Sequence, residues 1–369
     1  MSKDINFNIR KKDIEVLAKC PLCKSKNFKL ISKIFNKNIN FLSNSFCQNC
    51  SLIYKSSRPS LKWFLKNFKK RDKFQKQNNI NPINLNTEKI RRLRYLKVSK
   101  FFQSLNLKGN LLDVGTGTGL GLLEFRKKNF YPEGIEPDIS RSRVGKKKNL
   151  KISELNIEIF SSKKKYDVVT FVHSLEHLHN FKSALKKAID MLKFDGYIYI
   201  EVPNLHFNNF GVDENLYLGH MYNFSEASLL NLKYFFEIEP IYRFYPDLEE
   251  NNYSIAIMFK KTQKQIKKLK LRKLKLSLIK KKFFPNKLKN KKHITFDVEL
   301  INDLSMTLKS SNNVFSNLYE NYKQKKIFIS KNQILKTKKI SQIIKTEKKI
   351  NIKRLKKIAL KCNYKSYSK

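Results

Sequence analysis

The run Leu111-Leu112-Asp113-Val114-Gly115-Thr116-Gly117-Thr118-Gly119 is an apolar segment entering a loop with glycine at every second position, and Glu136 follows twenty-three residues after Asp113. An apolar strand, a glycine turn and a carboxylate closing the next strand point to an open α/β sheet, in which ligands bind outside the carboxyl ends of the strands. Glycine adopts positive φ and lacks the Cβ that keeps a ligand off the backbone. Glu136 stands where a carboxylate accepts both hydroxyls of a ribose. The pattern is that of a nucleoside cofactor site. A dinucleotide loop needs the order G-x-G-x-x-G, but Leu120 occupies the third glycine's place after Gly115 and Gly117. No Gly-Lys-Ser/Thr closes the run, which excludes a Walker loop.

The Asp-x-Gly-x-Gly-x-Gly form resembles the first motif of class I S-adenosylmethionine-dependent methyltransferases. That resemblance implies a seven-stranded, mostly parallel Rossmann-like sheet with an antiparallel last strand, and the downstream pattern agrees with it. Strands are expected at 111–114, 130–136, 150–153, 166–172 and 196–202, with helices at 119–128, 139–147 and 181–192 between them. Such alternation gives a parallel sheet with right-handed crossovers. A helix at 225–232 and two strands, 236–244 and 253–259, follow. The short polar link between those strands makes them an antiparallel hairpin. Upstream, 88–105 has helical periodicity, with Arg91, Arg92 and Arg94 near its start.

Residues 1–57 hold two cysteine pairs, Cys20/Cys23 and Cys47/Cys50. Each C-x₂-C places two thiolates on one knuckle, and two knuckles complete a tetrahedral S₄ shell for Zn²⁺. Four protein ligands leave no open position, so the expected zinc is structural. A redox dithiol is the alternative, and no βαβ pattern surrounds either pair. A short helix and a polar linker occupy 58–87, the catalytic domain 88–260, and a basic extension 261–369.

The chain has 369 residues and a net charge of +48. Lysine far outnumbers arginine amid abundant Asn and Ile, so a solvated lysine surface is favoured over a surface for nucleic acid, anionic membrane or acidic glycan. No apolar stretch is long enough to span a membrane, and the first residues lack a signal-peptide core; a cytoplasmic location is expected. The extension reads as helical, with basic amphipathic segments at 265–279 and 327–360 that suit an anionic membrane surface. A loosely packed lysine-rich extension is the alternative. No sequence feature bears on oligomeric state.

Three further segments make the resemblance more specific. Tyr166-Asp167-Val168-Val169 with the exit Leu175-Glu176-His177, the turn and strand Leu192-Lys193-Phe194-Asp195-Gly196 closing on Glu201-Val202-Pro203, and Gly219-His220-Met221-Tyr222-Asn223-Phe224-Ser225 resemble a group of class I enzymes acting on sugars and other small molecules. With the cysteine pairs, residues 18–260 are similar to zinc-ribbon methyltransferases of deoxysugar and surface-polysaccharide biosynthesis, including sugar C-methyltransferases. This implies S-adenosylmethionine and structural zinc as cofactors and a nucleotide-linked sugar or related small molecule as acceptor. His220 is implied as the base and Tyr217 as an acceptor contact. Asp113, Gly115, Gly117, Gly119 and Glu136 line the cofactor, with Asp113 orienting the methionine ammonium or capping the loop. Glu154 is expected near the adenine, and His173 and Glu176 at the exit of the fourth strand.

His173, His177 and His179 cluster with Glu176, and a four-residue His spacing on a helix can bind metal. Here the helix has barely begun, and the segment matches a pocket lining. Two alternatives stand beside the small-molecule reading: an RNA methyltransferase gripping its substrate through the ribbon and the positive charge, and a noncatalytic binding protein with a degenerate fold.

Overall fold

The computed structural model describes residues 9–36, 39–77, 83, 85–205, 219–244, 254–263, 270–276, 294–300 and 308–310. In chain order the strands are β1 (Ile14–Val16), β2 (Phe28–Asn36), β3 (Ile39–Cys47) and β4 (Ile53–Pro59), followed by helices α1 (Leu61–Gln77) and α2 (Leu85–Ser104). Then come β5 (Gly109–Val114), α3 (Leu120–Arg126), β6 (Phe130–Ile135), α4 (Ile139–Lys146), β7 (Ile152–Ser153), β8 (Tyr166–Val172), α5 (Phe181–Met191) and β9 (Leu192–Pro203). The remainder is β10 (Tyr222–Asn223), α6 (Glu226–Leu230), β11 (Ile238–Phe244), β12 (Ser254–Lys261), β13 (Ile294–Leu300) and β14 (Leu308–Ser310).

The larger sheet has the order β11-β12-β9-β8-β5-β6-β7. The neighbours from β9 through β8, β5 and β6 to β7 pair in parallel, and β12 runs antiparallel to both β9 and β11. This is the mostly parallel sheet with an antiparallel last strand read from the sequence. Both faces are covered, as a parallel sheet requires, and side chains alternate between them. Leu112, Val169, Ile198 and Ile200 pack with Phe181, Leu185 and Ile189 of α5 on one face. Leu111, Val168 and Tyr199 pack with Tyr95, Val98 and Phe102 of α2 on the other. Helix α5 buries positions i, i+3, i+4, i+7 and i+8 from Phe181, the stripe of a helix lying on a sheet, and the Asn180 side chain caps it by accepting from the Ser183 N–H.

The smaller sheet runs β1-β4-β3-β2-β13-β14, with β10 added on β4. Its strands come from residues 14–59 and, in β10, β13 and β14, from later in the chain. β10 pairs antiparallel with β4 through Tyr222↔Tyr54 and Asn223↔Ile53, and β13 pairs in parallel with β2. Arg58 Nη1 donates to the Tyr222 hydroxyl at 3.0 Å, and Asn231 Nδ2 to the Cys50 carbonyl at 3.1 Å. The N-terminal sheet is therefore clamped to the loop and helix that follow β9.

The expected helical extension is corrected in two places. Residues 270–275 are not helical: Asn231 brackets the Arg272 backbone from both sides, Leu274 N–H donates to the Ser51 hydroxyl, and Leu271, Leu274 and Leu276 pack on the core. Residues 294–300 are a strand. For 270–275 the hydrogen bonds from Asn231 and Ser51 and the leucine contacts override the weak helical preference of a lysine-rich segment, while 294–300 pairs its backbone with β2. The second expected helix, 327–360, lies outside the described residues. Among those described, no helix is long and apolar enough to cross a membrane.

Lys55 of β4 is fully buried, its Nζ donating to Asn44 Oδ1 of β3 at 2.7 Å. Burial, then the charge of Arg58, holds its pKa well below the ordinary 10.5. Between the two pKa values the unfolded chain binds a proton that the folded chain does not, so this group makes stability rise with pH across that window, by up to about 1.4 kcal/mol per pH unit. Lys55→Met is expected to flatten the slope. Denaturant titrations at pH 7 and pH 9 check this, and an unchanged difference between the two would contradict it.

Candidate active site

The glycine loop leaves β5 and enters α3. Gly115, Gly117 and Gly119 all have positive φ, at 80°, 59° and 76°. A Cβ at Gly119 would stand 2.6 Å from Leu150 Cδ1, so the loop lies directly on the neighbouring chain. Gly117 differs: its missing Cβ faces open space, with only Arg91 Nη1 near, at 3.6 Å. The loop is pinned by Gly115 and Thr116 N–H groups donating to the Ile135 carbonyl.

Glu136 follows β6, 6% exposed. Its Oε2 accepts from Gly117 N–H at 2.8 Å and its Oε1 from Asp138 N–H at 2.9 Å. Burial raises its pKa, and the two N–H groups and Arg141 oppose that. The carboxylate thus ties the tip of the glycine loop to the start of α4, and a carboxylate oxygen that accepts one hydrogen bond has capacity for a second.

Asp113 is fully buried with both oxygens engaged inside the protein. Thr170 donates to Oδ1 at 2.6 Å and the Tyr95 hydroxyl to Oδ2 at 2.9 Å. Burial pushes its pKa up and these donors pull it back. These bonds tie the end of β5 to α2 and β8. Tyr95→Phe leaves Oδ2 short of a donor, which costs about 1–3 kcal/mol at a buried group. A lowered Tm in thermal unfolding is expected, and an unchanged Tm would contradict the anchor role.

Glu154 lies just past β7, but its Oε1 accepts from Ser142 Oγ at 2.7 Å and pairs with Lys146 Nζ at 2.9 Å, which lowers its pKa. The carboxylate is thus committed to α4, while the backbone beside it, the Ser153 carbonyl, accepts from Glu136 N–H.

His173 ends β8 with φ 51°, its Nε2 2.8 Å from Ser254 Oγ and 3.4 Å from Glu201 Oε1. Glu201 also meets Arg94 Nε at 3.0 Å and the Tyr199 hydroxyl at 2.7 Å. Burial would push Glu201 up, but the hydrogen bond from His173 and the charge of Arg94 leave it low. His173 thereby joins a buried network linking β8, β9, β12 and α2.

Glu176, His177 and His220 converge. Glu176 is 1% exposed and burial raises its pKa to about 8. His177 leaves 43% of its side chain exposed, yet desolvation by the protein around the ring lowers its imidazolium pKa to about 4. The His177 and His220 rings lie 4.8 Å apart. Burial first, then the charges of His177, Lys55 and His173, hold His220 well below the usual histidine value. His220 is positioned by the smaller sheet, because Lys55 N–H donates to the carbonyl of adjacent Met221 at 3.1 Å and β10 follows directly. Tyr217 lies outside the described residues.

The sequence reading missed what α2 contributes. Besides Tyr95, Glu88 accepts from the Thr118 hydroxyl and from Arg91 Nη1, which sets Arg91 beside Gly117. The cluster of arginines at the start of α2 was the available signal.

The four cysteines come together as two matching knuckles. Lys24 N–H donates to the Cys20 carbonyl and Ser51 N–H to the Cys47 carbonyl, both at 2.9 Å, and Lys24 and Ser51 both have positive φ. Cys20 and Cys50 Sγ are 3.5 Å apart, and Cys23 and Cys47 Sγ are 3.4 Å apart. These separations are too long for S–S bonds of about 2.0 Å. They approach the edge of a tetrahedron with metal–sulfur bonds of about 2.3 Å.

Comparison with known proteins agrees with the geometry. The methyltransferase domain family model matches residues 87–249. A stretch of 139 residues, 36% of this chain, is 30% identical to the ubiquinone biosynthesis O-methyltransferase of Pelagibacter ubique (strain HTCC1062), and the match spans 57% of that protein's length. Among solved structures, an amino pentose methyltransferase from Micromonospora echinaspora is 14% identical with a TM-score of 0.39, over 49% of this chain and 99% of that one. The N-methyltransferase NodS from Bradyrhizobium japonicum is 15% identical with a TM-score of 0.37, over the same shares. At TM-scores below 0.5 these are partial likenesses. The part of the chain that matches the methyltransferase domain family, residues 87–249, carries the larger sheet from β5 through β11.

Proposed function

We propose that this chain transfers a methyl group from S-adenosylmethionine to a small-molecule acceptor, with a nucleotide-linked sugar of surface glycan biosynthesis as the leading class. The observation that carries the reading is Glu136, a buried carboxylate whose oxygens each hold one backbone N–H beside a glycine loop. The residues fit the cofactor: Glu136 for the ribose hydroxyls, the open face of Gly117 for close approach, and Arg91 for the methionine carboxylate. When bound, the cofactor supplies an electrophilic methyl on a sulfonium. The chain's part is to hold the acceptor in line with that methyl and to exclude water, which supplies most of the rate in such a displacement.

His220, beside Glu176 and His177, is the first residue to test for the acceptor proton, and burial holds its pKa well below the usual histidine value. The curated relative is an O-methyltransferase, so an acceptor oxygen is the first atom to test. Cys20, Cys23, Cys47 and Cys50 hold a structural zinc that fixes the smaller sheet.

Methyl-labelled S-adenosylmethionine offered with a panel of nucleotide sugars, quinol precursors and RNA tests the reading. Label is expected in a small molecule; label in RNA alone would overturn it. With an acceptor in hand, His220→Gln should lower kcat by about 10²–10⁴, the usual contribution of a positioned base, with cofactor binding intact. Full turnover in that variant would remove His220 from the reaction.

A further inference from the structure

We propose that Glu176, His177 and His220 form a binding site for a divalent cation on the acceptor side of the cleft, separate from the four-cysteine cluster and of the His₂-carboxylate class that leaves a coordination position open to substrate. The inference rests on the reading of this cleft as the acceptor site. One candidate ligand atom from each of the three side chains lies within 4.8 Å of the others.

The tautomer of His177 is the first support. Its Nδ1 lies 2.9 Å from the Gly219 carbonyl, an acceptor only, so Nδ1 carries the hydrogen and Nε2 presents its lone pair. This is the outer hydrogen bond that orients metal-ligating histidines. His177 Nε2 then faces Glu176 Oε1 at 3.9 Å, a lone pair toward a carboxylate. In a tetrahedral site with bonds of about 2.1 Å that separation would be about 3.4 Å, within reach of small side-chain rotations.

Glu176 is the second support. Among the described residues, neither of its oxygens finds a hydrogen-bond donor in a neighbouring residue, although the side chain is 1% exposed. The nearest cationic candidates are imidazole nitrogens at 3.6 Å (His173 Nδ1) and 3.9 Å (His177 Nε2). A buried carboxylate without donors is costly unless it is protonated or faces a cation.

The donor set of two nitrogens and one oxygen suits Zn²⁺ and its neighbours in the first transition row. It differs from the His173, His177 and His179 grouping that the sequence argues against: His173 Nε2 is engaged with Ser254 and Glu201, His179 Nε2 lies 3.3 Å from the Pro59 carbonyl, and His220 arrives from a distant loop instead.

The chemistry follows from the open position. An acceptor hydroxyl bound there is made acidic by the metal, and its proton leaves to solvent. The oxygen lone pair then forms the O–CH₃ bond as the S–CH₃ bond breaks and its electron pair stays on sulfur. His220 acts in this case as a ligand.

Co²⁺ alone, titrated into the full chain, tests the site, because thiolate coordination gives charge-transfer absorption that an N₂O site lacks. Two equivalents are expected in the wild type, one with that absorption and one without. His177→Ala and Glu176→Gln should each lose only the second equivalent, and the retained thiolate signal reports that each variant has folded. Substoichiometric Mn²⁺ should also broaden the His177 and His220 ring resonances of the wild type. A single thiolate-bound equivalent in the wild type, a second equivalent surviving both substitutions, or unbroadened ring resonances would each overturn the site. Calorimetry with S-adenosylmethionine on the same preparation separates the two claims: cofactor binding without the second Co²⁺ removes only the metal site, and Co²⁺ binding without cofactor binding removes the proposed function.

Discussion

Glu136→Ala is expected to weaken S-adenosylmethionine binding by about 100-fold. A hydrogen bond to a charged group contributes about 1.5–3 kcal/mol, and both ribose hydroxyls are expected on this one carboxylate. Taking the lower figure for each gives about 3 kcal/mol, or two orders of magnitude in Kd. The substitution also frees the Gly117 and Asp138 N–H groups that Glu136 holds at 2.8 and 2.9 Å, so the loop loses its tie to α4. Glu136→Gln should fall between the two proteins, since the amide keeps one acceptor oxygen. Burial raises the Glu136 pKa, so affinity is also expected to fall earlier on acidification than an exposed glutamate would allow.

Loss of the metal proposed for the four cysteines is expected to have the larger structural effect. Structural zinc in small domains contributes an apparent ~10–16 kcal/mol, comparable to the whole stability of a typical domain, about 5–15 kcal/mol. Cys50→Ser, or chelation of the wild type, should therefore unfold the smaller sheet. The consequence reaches the cleft, because β10 rests on β4 and Lys55 N–H holds the carbonyl next to His220. Turnover should be lost in proportion to zinc, while the Asp113–Glu136 side keeps its own anchors in Tyr95 and Thr170 and retains cofactor binding. Metal analysis alongside circular dichroism measures this. A Cys50→Ser protein with unchanged zinc content and Tm would contradict it.

Much of this architecture is legible in the sequence because parallel sheets advertise themselves. Strands such as Tyr166–Val172 are buried on both faces and read as continuous apolar runs, with helical periods between them. The glycine loop and the cysteine knuckles are equally local signals.

Other features are not local. β10 is two residues long, too short for any periodicity, yet it pairs the segment after β9 with β4. β9 begins at Leu192, immediately after α5, with Asp195 in left-handed conformation inside it, so its first residues read as a turn. Ile294, Phe296, Val298 and Leu300 do alternate with polar residues, a strand signal obscured by the surrounding lysines. The meeting of His177 with His220 depends on a loop returning from β9, and no spacing rule brings residues 43 positions apart to one cleft.

Isothermal titration of the full chain with S-adenosylmethionine, for the wild type and Glu136→Ala in parallel, tests the central claim most directly. Saturable 1:1 binding that falls about 100-fold in the variant is the expected result. No binding to the wild type, or equal binding to both proteins, would contradict the account.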